Sequence, residues 1–275
     1  YPISVEQVDG FSRDMFIHKD TLFVVSEEDG LLKYEITDNT GDSSISLTLR
    51  FSDSLYFQEN GWNLAQIQYS DSLNSIVILD KFYSLQLIQL SDLIEGSIQP
   101  EKLCCLTDNQ HPSRFTLNPM NNLEIFSLIR NKSGQEGIPS DIVSIYKIDM
   151  IEISDIIISE EPIKIIDSLI CDATNIHYNN DKLFISHTSY EQYEFRVYKR
   201  TTTAIPPLFV LDTTIKTPLK PQALYSDESF LFVGMGDHGG VKIYSIDSME
   251  EISRISQGFS VRDIYWDPSS KFLLL

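Results

Sequence analysis

The chain has 275 residues, of which 42% are hydrophobic and 11% aromatic, a composition that excludes a largely disordered protein. Its 40 acidic and 21 basic residues give a formal charge of −19, which argues against a nucleic-acid ligand because phosphate groups would be repelled. The longest apolar runs, such as 76–79, are far too short to cross a bilayer, so we expect no membrane span.

Six predicted hairpins follow one another along the chain. Each consists of an apolar strand, a short turn rich in Asp, Asn, Ser or Pro, and a second strand rich in β-branched and aromatic residues. The hairpins are predicted at 13–25, 65–79, 113–128, 174–186, 221–233 and 262–275.

Five of these hairpins are followed by two further predicted strands. Third strands are predicted at 30–38, 84–92, 141–149, 193–201 and 239–247, with a tyrosine at positions 34, 146, 198 and 244. Fourth strands are predicted at 44–52, 102–108, 162–170, 207–215 and 251–258. Helical periodicity is weak and indicates only short turns near 91–96 and 150–156. Four antiparallel strands per repeat are typical of β-propeller blades.

The two ends of the chain resemble each other. Residues 2–10 match the fourth strand at 251–258, and the string FSRD at 11–14 returns at 259–263 with one residue inserted. We therefore predict an all-β fold, a single β-propeller domain over 1–275 with six four-stranded blades, whose termini share one blade. The count lacks one third strand, which we expect beyond the C-terminal end; seven blades are the alternative if the natural chain is longer.

Two third strands carry a family resemblance. Segments 30–38 and 240–247 are similar to the LVIVD repeat, whose pattern is a Gly, alternating aliphatics, a hydrophobic residue, Ser or Thr, and Asp. The Gly-aromatic-x-x-Asp stretch that precedes this repeat is resembled by Gly10, Phe11 and Asp14, and, with one extra residue, by Gly258, Phe259 and Asp263. The middle blades lack the glycines. The resemblance implies a β-propeller, often in a surface or secreted protein, without a shared catalytic activity.

One polar position recurs in all six first strands. It is occupied by Asp14, Gln66, Arg114, Asn175, Gln222 and Asp263, and each is followed by an apolar residue. Because side chains alternate along a strand and first strands line a propeller channel, we predict that this polar ring faces the channel and binds a ligand. A hydrated channel lining is the alternative. Arg13 and Arg262 stand beside the ring; with Arg114 they could bind an anion, or they pair with neighbouring Asp residues.

Metal and cysteine signals are weak. In the string GMGDHGG at 234–240, Asp237 and His238 could ligate a metal, but no further ligand lies at a suitable spacing, so a flexible hairpin loop is favoured. We expect no cofactor, with calcium as the alternative that the net charge suggests. The three cysteines are buried thiols, or one disulfide joins Cys171 to a member of the adjacent pair; they are Cys104, Cys105 and Cys171. The long segment 129–141 is a candidate recognition loop.

The chain contains none of the common catalytic or nucleotide-binding motifs. We predict a non-catalytic β-propeller that recognises a protein or glycan partner through loops on one face. The alternative is a hydrolase or lyase acting on a small or carbohydrate substrate in the channel. Its acid–base groups would be Asp14, Asp263 and His177, and Arg114 would hold an anionic group. Acidity and the family resemblance favour an extracellular or cell-surface location over the cytoplasm.

Overall fold

The computed structural model confirms the all-β class. It describes residues 12–26, 30–38, 47–55, 64–70, 73–80, 84–91, 101–102, 110–118, 124–131, 141–152, 155–158, 163–169, 172–188, 192–201, 209–255, 258–267 and 272–274. These residues form several small antiparallel sheets, and the chain divides into two compact units, Tyr1–Cys105 (unit 1) and Leu106–Leu275 (unit 2). The single domain and the ring of six blades stay predictions.

Unit 1 contains two four-stranded sheets, in each of which consecutive strands pair antiparallel. The first consists of β1 (Ser12–His18), β2 (Thr21–Ser26), β3 (Gly30–Asp38) and β4 (Leu47–Leu55). The second consists of β5 (Leu64–Ser70), β6 (Ser75–Asp80), β7 (Ser84–Gln89) and β8 (Glu101–Lys102). The rest of the predicted strand 102–108 and the whole of 2–10 lie outside the described residues.

Unit 2 begins with a five-stranded sheet and continues with two four-stranded sheets and a hairpin. The five-stranded sheet contains β9 (Gln110–Leu117), β10 (Glu124–Asn131), β11 (Asp141–Glu152), β12 (Asp155–Ile158) and β13 (Ile163–Leu169). The next sheet contains β14 (Asp172–Asn179), β15 (Lys182–Thr188), β16 (Tyr193–Arg200) and β17 (Phe209–Thr217). The last four-stranded sheet contains β18 (Pro221–Ser226), β19 (Phe230–Met235), β20 (Gly240–Ser245) and β21 (Glu251–Ile255). The hairpin pairs β22 (Tyr265–Asp267) with β23 (Phe272–Leu274).

All six predicted hairpins are confirmed. The helical turn predicted near 150–156 is wrong, because residues 150–152 and 155–156 belong to two antiparallel strands. Strand β11 runs through this segment to Glu152, and its second half pairs with β12, with Ile148 opposite Ile158. The segment is rich in isoleucine, and β-branched side chains favour extended backbone.

Neighbouring sheets within each unit pack face to face through apolar side chains. In unit 1, Phe23 and Leu31 of the first sheet contact Ile67 and Ile78 of the second. In unit 2, three such layers join β10 to the β14–β17 sheet, that sheet to the β18–β21 sheet, and the latter to residues 261–264. Within each unit, consecutive sheets therefore cover one another, which is the packing that a blade repeat requires.

Three of the four recurring third-strand tyrosines are buried beside bulges in the fourth strands. The register of the outer strand shifts next to Tyr34, Tyr198 and Tyr244, all of which are buried. A bulge in an edge strand twists the edge and interrupts its row of backbone groups, which hinders pairing with another chain. The tyrosine column thus belongs to the framework of the blades.

A buried ion pair joins two sheets of unit 2. Arg200 on β16 donates to both carboxylate oxygens of Glu124 on β10, at 2.7 and 3.0 Å, and the side chains are 10% and 4% exposed. Asn118 donates to the same carboxylate at 2.8 Å, and the hydroxyl of Tyr178 lies 3.4 Å from Arg200. Burial, opposed in part by Arg200, raises the pKa of Tyr178 to about 12. Loss of either charge would leave the other without its buried counter-ion.

Glu124→Gln should lower the free energy of unfolding by about 3–5 kcal/mol, because the Arg200 charge stays buried without its partner. The matched control is Glu251→Gln, which removes the surface pairs with Lys242 and Arg254 and should cost less than about 1 kcal/mol. Chemical denaturation of both variants measures the difference. Equal losses would show that burial gives the Glu124–Arg200 pair no special weight.

Candidate functional site

The polar position of the first strands lies at a recurring β-bulge. Five first strands show the same irregularity, namely β1, β5, β9, β14 and β18. In each of them the pairing with the second strand shifts by one residue in the first half of the first strand. The extra residues are Arg13, Ala65, Ser113, Thr174 and Gln222. In the first four strands the predicted ring residue directly follows the extra residue, and in β18 the ring residue Gln222 is itself the extra residue. The bulge therefore sets the direction in which the polar side chain leaves the strand.

In unit 1, the carboxylate of Asp14 joins the two first strands. One oxygen accepts the backbone N–H of Met15 at 2.8 Å, and the other accepts that of Ile67 on β5 at 2.9 Å. A first strand is the edge of its sheet, so its outward N–H groups have no ladder partner. Asp14 supplies an acceptor for one of them. Gln66, the next ring residue, is half-buried and also engaged in contacts.

In unit 2, Asn175 likewise joins two first strands, but its side chain both accepts and donates a hydrogen bond. Its carbonyl oxygen accepts the N–H of Ile176 at 2.8 Å, and its amide nitrogen donates to the carbonyl of Gln222 on β18 at 2.9 Å. Other side chains of the β14–β17 sheet also donate hydrogen bonds to backbone carbonyls in the β18–β21 sheet and its turns. Thr174 donates to Pro221 O, Asn179 to Ser226 O and Asp227 O, and Lys182 to Ile246 O.

The remaining ring residues differ in their surroundings. The side-chain oxygen of Gln222 is buried and has no hydrogen-bond partner among the described residues. Its amide lies against Gly236, where a Cβ would approach it to 2.9 Å. Arg114 is half-buried and engaged in contacts of its own. Asp263 is exposed, and one of its oxygens accepts the N–H of Ile264 at 2.8 Å. The structure brings Asp14 to the strand of Gln66 and Asn175 to Gln222. Arg13, the extra residue of its bulge, and Arg262 are exposed.

His177, considered above as an acid–base group, forms a hydrogen bond to the neighbouring sheet. Its Nε2 accepts the backbone N–H of Ser226 at 2.9 Å, and the ring lies 5.5 Å from that of Tyr225. Burial lowers the pKa of His177 to about 4. A neutral imidazole whose Nε2 already holds a backbone N–H fits a structural role better than proton transfer near neutral pH. The partner residue Ser226 carries no motif that would have revealed this contact from the sequence.

The Gly-rich string at 234–240 forms the predicted hairpin loop, and a backbone hydrogen bond closes its turn. The positive φ angles of Asp237 (50°) and His238 (65°), with the Gly239 N–H donating to Gly236 O at 3.0 Å, match a type I′ turn. Among the described residues no group of three or more His, Cys, Asp or Glu is placed to hold a metal ion. Cys104, Cys105 and Cys171, together with 132–140 of the predicted recognition loop, lie outside the described residues.

Comparisons with known proteins support the fold. The chain is 11% identical to each of three similar solved structures. Hydrazine synthase of Kuenenia stuttgartiensis matches with a TM-score of 0.60 over 95% of this chain and 79% of that chain. The computationally designed Ika8 protein matches with 0.55 over 96% and 80%, and a chain of the mitotic checkpoint complex with 0.54 over 92% and 65%. The structural neighbours are β-propeller-type proteins. No family model and no curated protein matches the sequence.

Within the part of the chain that the structure describes, no helix has both the length and the apolar composition needed to cross a membrane.

Asp14→Asn and Asn175→Asp should each destabilise the protein, although Asp and Asn side chains have the same shape. Asp14→Asn replaces one of two acceptors by a donor facing an N–H, and Asn175→Asp places a carboxylate oxygen against the carbonyl of Gln222. Each should lower the free energy of unfolding by about 1–3 kcal/mol. Asp263→Asn is the control, because its one described bond needs only an acceptor. Chemical denaturation that ranks all three variants alike would contradict this account.

Protonation of His177 should oppose folding in mild acid. The unfolded imidazole binds a proton near pH 6.5 and the folded one only near pH 4, so stability is complete above pH 6.5 and declines as the pH falls toward 4. The loss attributable to this group is about 3 kcal/mol. His177→Gln removes it, so the stability difference between wild type and variant should shrink as pH falls. Denaturant titrations of both proteins from pH 7 to pH 4 measure this; parallel pH profiles would refute the assignment.

Proposed function

We propose that the chain is a β-propeller of six four-stranded blades that acts as a non-catalytic recognition or scaffolding module. It would bind a protein or glycan partner through loops on one face. The observation that carries this proposal is the use of the first-strand polar residues. Asp14 and Asn175, like His177, satisfy backbone groups of the neighbouring sheet and so stiffen the array. A rigid array of this kind presents loops for recognition.

The closure of the ring in a shared terminal blade and membership of the LVIVD-repeat family form part of the same proposal. The glycines that carry the resemblance have backbone conformations that favour glycine. Gly30 and Gly240, the first residues of β3 and β20, have φ angles of 76° and 66°, and Gly258 has a φ of 110°. Matching glycines in matching conformations support a common repeat. The net charge and this resemblance also support an extracellular or cell-surface location, and calcium is the cation we would test first.

The competing function is a hydrolase or lyase with its site in the channel. The exposed carboxylate of Asp263 is the group that best fits it, since only one of its oxygens is engaged within the described residues. Asp14 and His177 fit it less well, because both hold backbone N–H groups. The recognition function therefore has the stronger support.

A parallel test of binding and turnover separates the two functions. The purified chain and an Asp263→Asn/His177→Gln double variant are applied to a glycan microarray and to cross-linking with a source extract. Both are also screened with chromogenic glycosides and esters. Recognition predicts a saturable partner of the wild-type chain and no turnover by either protein. Turnover that the double variant loses would establish the enzyme, and absence of both partner and turnover would count against recognition.

A further inference from the structure

The turn at 236–239 and the segment that leads into β22 are joined by hydrogen bonds in both directions. Gly258 N donates to His238 O at 3.0 Å, and His238 N donates to the Ser260 hydroxyl at 3.2 Å. Gly240 N donates to Phe259 O at 3.2 Å, and the Nδ1 of His238 lies 3.2 Å from Gly258 O. Two connections that are far apart in the chain therefore form one surface.

This surface rests on a tightly packed base. Val261 is buried and its N–H donates to Met235 O at 3.0 Å. A Cβ on Gly234 would come within 2.6 Å of the Val261 side chain, and one on Gly239 within 2.5 Å of Met235, so only glycine permits this approach. The side chains on the surface are thus held by a backbone that has little freedom to move.

The residues that project from this base are exposed, and two of their charged side chains have no polar partner among the described residues. Asp237, His238, Phe259, Arg262 and Asp263 form what we call the turn surface, and all are exposed. The side chains of Asp237 and Arg262 make no ion pair or hydrogen bond with any residue that the structure describes. Other arginines of unit 2 behave differently: Arg196, Arg200 and Arg254 each pair with a glutamate. Unused charges around an exposed phenylalanine indicate a binding surface.

An exposed aliphatic residue is linked to the phenylalanine through the start of β20. Ile255, at the end of β21, is 38% exposed and pairs with Val241, next to the Gly240 whose N–H binds Phe259 O. Phe259 is 40% exposed. An apolar centre flanked by charged groups, with phenylalanine and arginine among its members, has the composition typical of protein interfaces.

We propose that the turn surface binds a protein partner that presents an apolar side chain ringed by Lys or Arg. The apolar anchor packs on Phe259 and Ile255, and the basic rim meets Asp237 and Asp263. The formal charge of −19 steers a basic partner toward the chain, whereas it repels an acidic one. This inference rests on the proposed recognition function and specifies its partner.

The test uses a random 12-residue peptide display library panned on the immobilised chain, followed by fluorescence polarisation of the enriched peptides. We expect sequences that combine an aromatic or aliphatic residue with Lys or Arg. Phe259→Ala should weaken binding at least tenfold, and Asp237→Asn/Asp263→Asn should weaken it severalfold and reduce its salt dependence. Each variant is first checked for an unchanged thermal unfolding midpoint.

Phe230→Ala is the matched control. Phe230 is 37% exposed, like Phe259, but it lies at the opposite end of β19 and contacts Phe232. Peptides that lose affinity equally in Phe230→Ala and Phe259→Ala, or a consensus rich in Asp and Glu, would overturn the proposal.

A glycan microarray with wild type and Phe259→Ala distinguishes the remaining outcomes. A glycan bound only by the wild type, without enriched peptides, would overturn the protein-partner inference and leave the recognition function standing. Neither peptide nor glycan binding would count against both.

Discussion

The constraint on which the rest of the structure depends is the unpaired edge that every blade-like sheet leaves at its first strand. A strand at an edge exposes backbone N–H and C=O groups that must find partners once the sheet is packed. Here the neighbouring sheet supplies side chains for that purpose. Asp14 accepts the N–H of Ile67, Asn175 donates to the carbonyl of Gln222, and His177 accepts the N–H of Ser226. Polar residues in first strands are thus a requirement of stacking sheets side by side.

This requirement explains why neighbouring sheets hold together through two different kinds of contact. Apolar side chains fill the space between sheet faces, which supplies most of the driving force but little directional information. The side-chain to backbone bonds at the first strands fix the relative position of the sheets, because each needs a donor opposite an acceptor. The Glu124–Arg200 pair adds a third contact between β10 and β16 that is both charged and nearly buried.

The hydrogen bonds made by the first-strand side chains also bear on function. Charges and polar groups along the first strands are largely engaged in holding sheets together, so they offer little to a ligand. The turn surface differs, because its backbone is held by hydrogen bonds while the side chains of Asp237 and Arg262 have no polar partner among the described residues. A backbone that is already fixed lowers the entropic cost of binding, since only side chains must be ordered on association.

The six hairpins, the third and fourth strands that follow five of them, and the column of polar first-strand residues could be derived from the sequence, because period-two alternation and turn chemistry are local properties. Strand β12 was not predicted. The role of the polar column could not be derived, since alternation shows that Asn175 leaves its strand on the polar side but not that Gln222 O lies within reach. The bulges, the partner of His177 and the Glu124–Arg200 pair are equally invisible, because their partners are far apart in the chain. The sequence by itself therefore determined the strands and their repeat. Only the tertiary structure decided which polar groups form hydrogen bonds between sheets, because that depends on which backbone edges meet.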